Sequence, residues 1–341
     1  MMKRSKLVTC FIILGLLAGM LSTGCQPIFR KKVSRMQVIT EGSSILYAPH
    51  YVALAKGYFR ELDLEVQVGE LKGKDPAKAL SGSAALIVLT NPDRLPAEPA
   101  PRPVIFAQLA KDTGFYLLAR ELKGDFNWSD LKGNSIIGGP ENWLPEMALE
   151  YLLRKNNLRP QWDLTIYRNV PLAMAPGAFK SGTGSYLLIS EPAASLLAKQ
   201  GLGQLATPLA MGKWELPQGI SMASRELVTK DPMALQKFTN GIYLAQLWMA
   251  RHSAREIAEI IQPYLPDIDQ DTLEKIITRY RKQGLWTTTP TPREASLDLL
   301  QEILVTSGKA KTKMPFQELT DTRFAREAVR TVKLEEEKKK K

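Results

Sequence analysis

Short, almost wholly apolar runs constrain this chain more than any other feature. "AALIVLT" (residues 84–90) carries no charge and is bounded by Ser83 and the turn "NPD". Such a run reads as a strand buried on both faces, since neither face calls for a polar residue. "PVIFAQLA" (103–110), "FYLLAR" (115–120) and "YLLIS" (186–190) repeat the pattern, and "LEVQV" (64–68) alternates like a half-buried strand. "SIIGG", "LTIYRN" and "GISMAS" read as further strands. Helical spacing lies between them, in "YVALAKGYF" with its stop at Gly57, in "DPAKALSG", and in "LPEMALEYLLRKNN". In the last, Trp143 or Leu144, Met147, Tyr151 and Leu152 share one face. From Asp231 onward the texture changes to long amphipathic helices, "PMALQKFTNGIYLAQLWMARH" and "DTLEKIITRYRKQ". Strands alternating with helices predict an α/β class with mixed, mostly parallel sheets covered on both faces.

The amino terminus adds a compartment. Lys3, Arg4 and Lys6 precede the apolar run Leu7–Leu21, then come small residues Ser22, Thr23 and Gly24, then Cys25. A basic segment, an apolar segment and small residues make a secretory leader. The apolar run is shorter than the roughly 18 to 20 residues a bilayer crossing needs. Cys25 after small residues is similar to a lipoprotein box, although Ser22 stands where such boxes prefer Leu. Two readings stay open: lipidation at Cys25 after removal of residues 1–24, or an uncleaved anchor. Either places the body outside the cytoplasmic membrane.

Composition narrows the function classes. The chain has 341 residues, 44% hydrophobic and 24% charged, which suits an exported globular body. Its two cysteines, Cys10 and Cys25, both lie at or before the leader's end, leaving none for a disulfide or a cysteine metal cluster. Lys3, Arg4 and Lys6 hold three of the +11 net charges, and more sit in the tail "KLEEEKKKK", read as solvated. There is no zinc finger and no basic stripe interleaved with aromatics, so nucleic acid is excluded as a partner. There are two histidines, His50 and His252, no G-x-S-x-G elbow and no H-E-x-x-H. No catalytic set and no cofactor is implied.

The stretch "YAPHYVALAKGYFRELDLEVQV" resembles the opening of bacterial ABC-transporter solute-binding proteins of the nitrate/sulfonate/taurine and thiamine-pyrimidine-precursor type. The resemblance continues through "WSDLKGNSIIGGPENWLPEMALEYLLRKNNL", "SYLLISEPAASLLAKQG" and "SRELVTKDPMALQKFTNGIYLAQLWM", and ends near "MPFQELTDTRFA". It implies a two-lobed periplasmic-binding-protein-like fold (type II) with two crossover segments. Lobe one is expected at residues 36–113 and 220–330, and lobe two at 114–219. Residues 25–35 would be a linker and 331–341 a charged tail. The resemblance further implies a monomer that captures a small-molecule ligand and hands it to a permease, tethered to the membrane by its lipid. A sensor or scaffold lipoprotein of the same fold is the alternative. One eukaryotic branch of the resembled superfamily is enzymatic and carries a Cys-rich motif, which this chain lacks.

In that fold a ligand lies at the carboxyl ends of the strands. Ser43 and Ser44 would donate to an oxyanion. Tyr47 would stack on a planar ligand or pack against its lobe, and His50 would line the cleft, cap or sit at the surface. Asn91 would bond the ligand or cap a turn, and Gln108 and Lys111 share that ambiguity. In "GGPENW", Gly138 and Gly139 allow close backbone approach, and their N–H groups could receive an anion. Glu141 would stabilise a helix start or, with Asn142, face the cleft. Trp143 would stack or join the core, and Glu191 would end a buried strand with the same double meaning. Cleft carboxylates at 141 and 191 favour a cationic or nitrogen-heterocyclic ligand. "SGTGS" (181–185) reads as a turn.

Overall fold

A computed structural model describes residues 33–81, 86–91, 102–209 and 214–334. The leader, Cys25 and the tail beyond Leu334 lie outside the described residues. Among the described residues, ten strands form two five-stranded sheets. The first holds β1 (Ser34–Thr40), β2 (Leu64–Glu70), β3 (Leu86–Thr90), β4 (Val104–Ala110) and β10 (Gln218–Ala223), in the order β2-β1-β3-β10-β4. The second holds β5 (Phe115–Ala119), β6 (Ser135–Ile137), β7 (Thr165–Tyr167), β8 (Tyr186–Ser190) and β9 (Gln204–Pro208), in the order β7-β6-β8-β5-β9. Each sheet is parallel except for one strand. β10 runs antiparallel to β3 and β4, and β5 runs antiparallel to β8 and β9.

The apolar runs explain the layering. Every residue of β3 and β4 is buried. Successive side chains point to opposite faces, and the two cores divide accordingly. Val38, Ile87, Leu89 and Leu118 join one apolar cluster, while Ile39, Val88, Leu117 and Ala119 join the other. Both clusters draw on both sheets. On one side the helices Ala48–Ala55 and Pro232–Arg251 pack together. The second helix buries Phe238 against Phe59, rings stacked at 5.2 Å. On the other side Glu294–Thr306 packs on Leu144–Lys155, joined by Tyr151 Oη donating to Glu302 at 2.6 Å.

The chain passes between the sheets twice. β4 ends at Ala110 and β5 begins at Phe115; β9 ends at Pro208 and β10 begins at Gln218. The two crossings are stitched together, Leu216 N–H to the Lys111 carbonyl at 3.0 Å and Leu209 N–H to the Phe115 carbonyl at 2.9 Å. Gly114 sits there with φ 71°, and a Cβ on it would lie 2.9 Å from Tyr280 Oη. That hydroxyl donates to the Gly114 carbonyl at 3.0 Å, bracing the crossing.

Three details differ from the sequence expectations. β9 was not foreseen, because "QLATP" is short, half-exposed and ends in proline. β1 starts at Ser34, inside the expected linker. At the other end the helix Arg323–Thr331 and the buried Leu334 place 331–334 on the folded body instead of in a tail. Among the described residues, no helix is long and apolar enough to cross a membrane.

Candidate functional site

The carboxyl ends of the parallel strands carry the candidate residues, and a charged residue directly follows four of them: Glu41 after β1, Lys111 after β4, Arg168 after β7 and Glu191 after β8. Each has a partner. Thr90 Oγ1 donates to the Glu41 carboxylate. Lys111 Nζ lies 2.9 Å from Glu215 Oε1, one crossing gripping the other. Arg168 holds three carboxylates, Glu146 at 3.1 Å, Glu141 at 3.2 Å, and Glu150. Arg279, on the helix Gln270–Gln283, donates to Glu191 Oε1 through Nε at 3.1 Å and Nη2 at 2.6 Å, and to Ser195. Glu191 Oε2 accepts the Ser195 N–H at 3.0 Å.

The turn after β6 is the most tightly built part of this region. Gly138 N–H donates to the Tyr167 carbonyl at 3.1 Å, and Gly139 N–H donates to Glu146 Oε2 at 3.1 Å. The Glu146 side chain is fully buried, and burial pushes its pKa up to about 7 despite the Gly139 and Arg168 hydrogen bonds. Neither glycine has room for a side chain. A Cβ on Gly138 would meet Glu146 Oε2 at 2.3 Å, and one on Gly139 would meet the Trp143 ring at 2.2 Å. Trp143 lies over Gly139 and meets Phe115, the first residue of β5, edge to face at 4.8 Å.

The sequence candidates therefore separate. Trp143 is half-buried beside Phe115 at the start of β5, and Asn91, directly after β3, accepts the N–H of Gly219 in the neighbouring β10 through Oδ1 at 3.3 Å. Ser43 is exposed in the loop after β1. Ser44 is the N-cap of the turn Ile45–Tyr47, accepting the Leu46 N–H at 3.3 Å. Tyr47 packs its ring in the core at 3% exposure and donates to the Leu89 carbonyl at 3.3 Å, which is the packing alternative.

His50 corrects the sequence reading. It is neither at the surface nor at a cap, but fully buried among Tyr51, Phe59 and Phe238, with no partner among the described residues for either ring nitrogen. Gln108 is also fully buried, its amide nitrogen spent on the Ala110 carbonyl at 2.8 Å. Glu141 and Asn142 are exposed. Glu141 turns to Arg168, and the Asn142 carbonyl accepts from Lys309 at 3.0 Å. Glu191 is buried and paired with Arg279, while Glu141 stays exposed beside Arg168. The backbone reading of Gly139 as an anion receptor is corrected as well, since its N–H is already taken by Glu146.

Sequence reasoning missed Glu146, Arg168 and Arg279. Glu146 is an acid in the first turn of its helix, and its one local signal is the "GG" seven residues before it. A cavity of about 1020 Å³ lies at the opposite ends of the second sheet's strands, lined by Arg120, Ser135, Gly184 and Tyr186. Its guanidinium is spent on the carbonyls of Phe179, Thr183 and Gly184, which fixes "SGTGS" as a turn.

A family model described as "NMT1/THI5 like" matches residues 45–254. The chain belongs to the NMT1/THI5-like family. The matched span runs from the turn before helix Ala48–Ala55 to the start of helix Ala254–Ile261, and so includes every crossing and the whole second sheet. It is similar to a Bacillus subtilis (strain 168) protein named "Putative binding protein YtlA", 35% identical over 298 residues, covering 86% of this chain and 89% of that one. Among solved structures, the periplasmic aliphatic sulphonate binding protein SsuA from Escherichia coli matches with a TM-score of 0.67 at 16% identity, over 85% of this chain and 98% of that chain. The desulfurization enzyme DSZB matches with a TM-score of 0.62 at 13% identity, over 87% and 99%. At such identities the two structures share the fold with this NMT1/THI5-like chain. A fold that carries both a binding protein and an enzyme leaves function to the site.

Proposed function

We propose that this chain is the solute-capturing component of an ABC importer, tethered outside the cytoplasmic membrane through lipidated Cys25. Solute would enter between the two sheets, close the lobes about the crossings, and pass unaltered to a permease. The protein would act as a monomer without a cofactor. The observation that carries this reading is the pair of parallel-strand ends beside two stitched crossings, with Asn91 at the strand ends of the first sheet and Trp143, against Phe115, at those of the second. In open α/β sheets that is where ligands bind. The similarity to a binding protein over nearly the whole chain supports it. His50, on the helix that follows the loop after β1, is sealed in an aromatic core.

A thermal-shift panel of nitrate, taurine, alkanesulfonates, aminopyrimidines and riboflavin tests the reading. A saturable rise with one compound, recovered chemically unchanged afterwards, is the expected result. Conversion of the compound on incubation would assign an enzyme instead.

A further inference from the structure

We infer that the solute carries no anionic head group, and that Glu146 is the residue that sets this preference. The inference rests on the capture reading and gives its substrate class. The turn after β6 has the makings of an anion receptor: two glycines, a helix following, and Arg168 within reach. That position is already filled, because Glu146 takes the Gly139 N–H at 3.1 Å and the Arg168 Nε at 3.1 Å. Only glycine fits at position 138, because a Cβ there would meet Glu146 Oε2 at 2.3 Å. Trp143 N–H is spent on the Pro140 carbonyl at 2.9 Å, and Pro145 opens the helix without a donor.

The other strand ends agree. Among the described residues beside the crossings, Lys111 is bound to Glu215 and Arg279 to Glu191, each a carboxylate of the chain itself. An incoming sulfonate or nitrate would have to displace a buried carboxylate or break an ion pair, and each of those steps is unfavourable. A neutral or cationic solute meets no such barrier and can lay an apolar or ring face against Trp143.

The test uses the full chain and needs no knowledge of the solute. Wild type is melted with sodium nitrate, sodium methanesulfonate or taurine against sodium chloride at equal ionic strength. Glu146→Ala and Glu146→Gln are melted with nitrate and formate. The wild-type melting temperature is expected to stay at the chloride value with every anion. Glu146→Ala empties the position beside the Gly139 N–H and Arg168, so nitrate or formate is expected to raise its melting temperature by about 2–4 °C at ten times the dissociation constant. Glu146→Gln still fills the space and gains nothing. A residue of merely structural importance would not acquire an anion response. A saturable wild-type rise with any of the three probes overturns the inference, as does a folded Glu146→Ala that ignores both anions. Should Glu146→Ala not fold, the wild-type arm decides alone. Failure of the capture reading appears elsewhere, as conversion of a compound in the ligand panel.

Discussion

Replacing His50 with leucine is expected to remove roughly 2–3 kcal/mol of acid sensitivity between pH 7 and pH 4.5. Burial lowers the His50 pKa from 6.5 to about 3, so the folded protein keeps the ring neutral while the unfolded chain takes up a proton below pH 6.5. Stability from this group is complete above pH 6.5 and is lost as the pH falls, at about 1.4 kcal/mol per pH unit. Asp112 and Glu146 act in the opposite sense. Burial raises them to about 6 and about 7, so each favours the folded state as the pH falls toward its unfolded value. The wild-type curve alone therefore mixes signs, and the measurement is the difference in denaturant-unfolding free energy between wild type and His50→Leu. That difference should drop steadily below pH 6.5. A difference independent of pH would mean that His50 is solvated or protonated in the folded state, contrary to its place among Tyr51, Phe59 and Phe238.

The second large effect lies at the Glu191–Arg279 pair. Arg279→Met is expected to destabilise the protein by about 3–5 kcal/mol, because it strands a carboxylate whose side chain is fully buried. The double variant Arg279→Met/Glu191→Gln should recover most of that loss, since a neutral amide can still accept the Ser195 N–H and carries no buried charge. Denaturant unfolding of the single and double variants reads this directly. Equal losses in both would show that Arg279 acts through packing of its stem and not through charge. The pair ties the helix Gln270–Gln283 to the end of β8, so it also holds one flank of the two-sheet arrangement, as Tyr151–Glu302 does on the other.

These two residues also show how far the sequence could be read. β3 and β4 were legible because strands covered on both faces cannot hide their apolar character, and every residue in them is buried. The long helix Pro232–Arg251 was legible from its periodic apolar stripe. β9 was not, because an edge strand of five residues ending in proline carries neither alternation nor a continuous run. At the site, the strand-to-loop positions after β1, β3, β6 and β8 could be found from the chain, but the roles of the side chains there could not. Arg168 and Glu146 are 22 residues apart and Arg279 and Glu191 are 88 apart, and no local pattern records such pairings. His50 went astray for a related reason. A histidine beside a cleft loop looks functional until helix Ala48–Ala55 is seen to turn it toward Phe238.

The central claim is capture of a small solute without chemistry on it. Native mass spectrometry of the full chain, purified from its own host without denaturation, tests it most directly. The account predicts one small, non-anionic molecule per chain, released intact when the protein is unfolded. A stoichiometric sulfonate or other anion would contradict the role given to Glu146, and a bound reaction product distinct from the compound supplied would contradict capture itself.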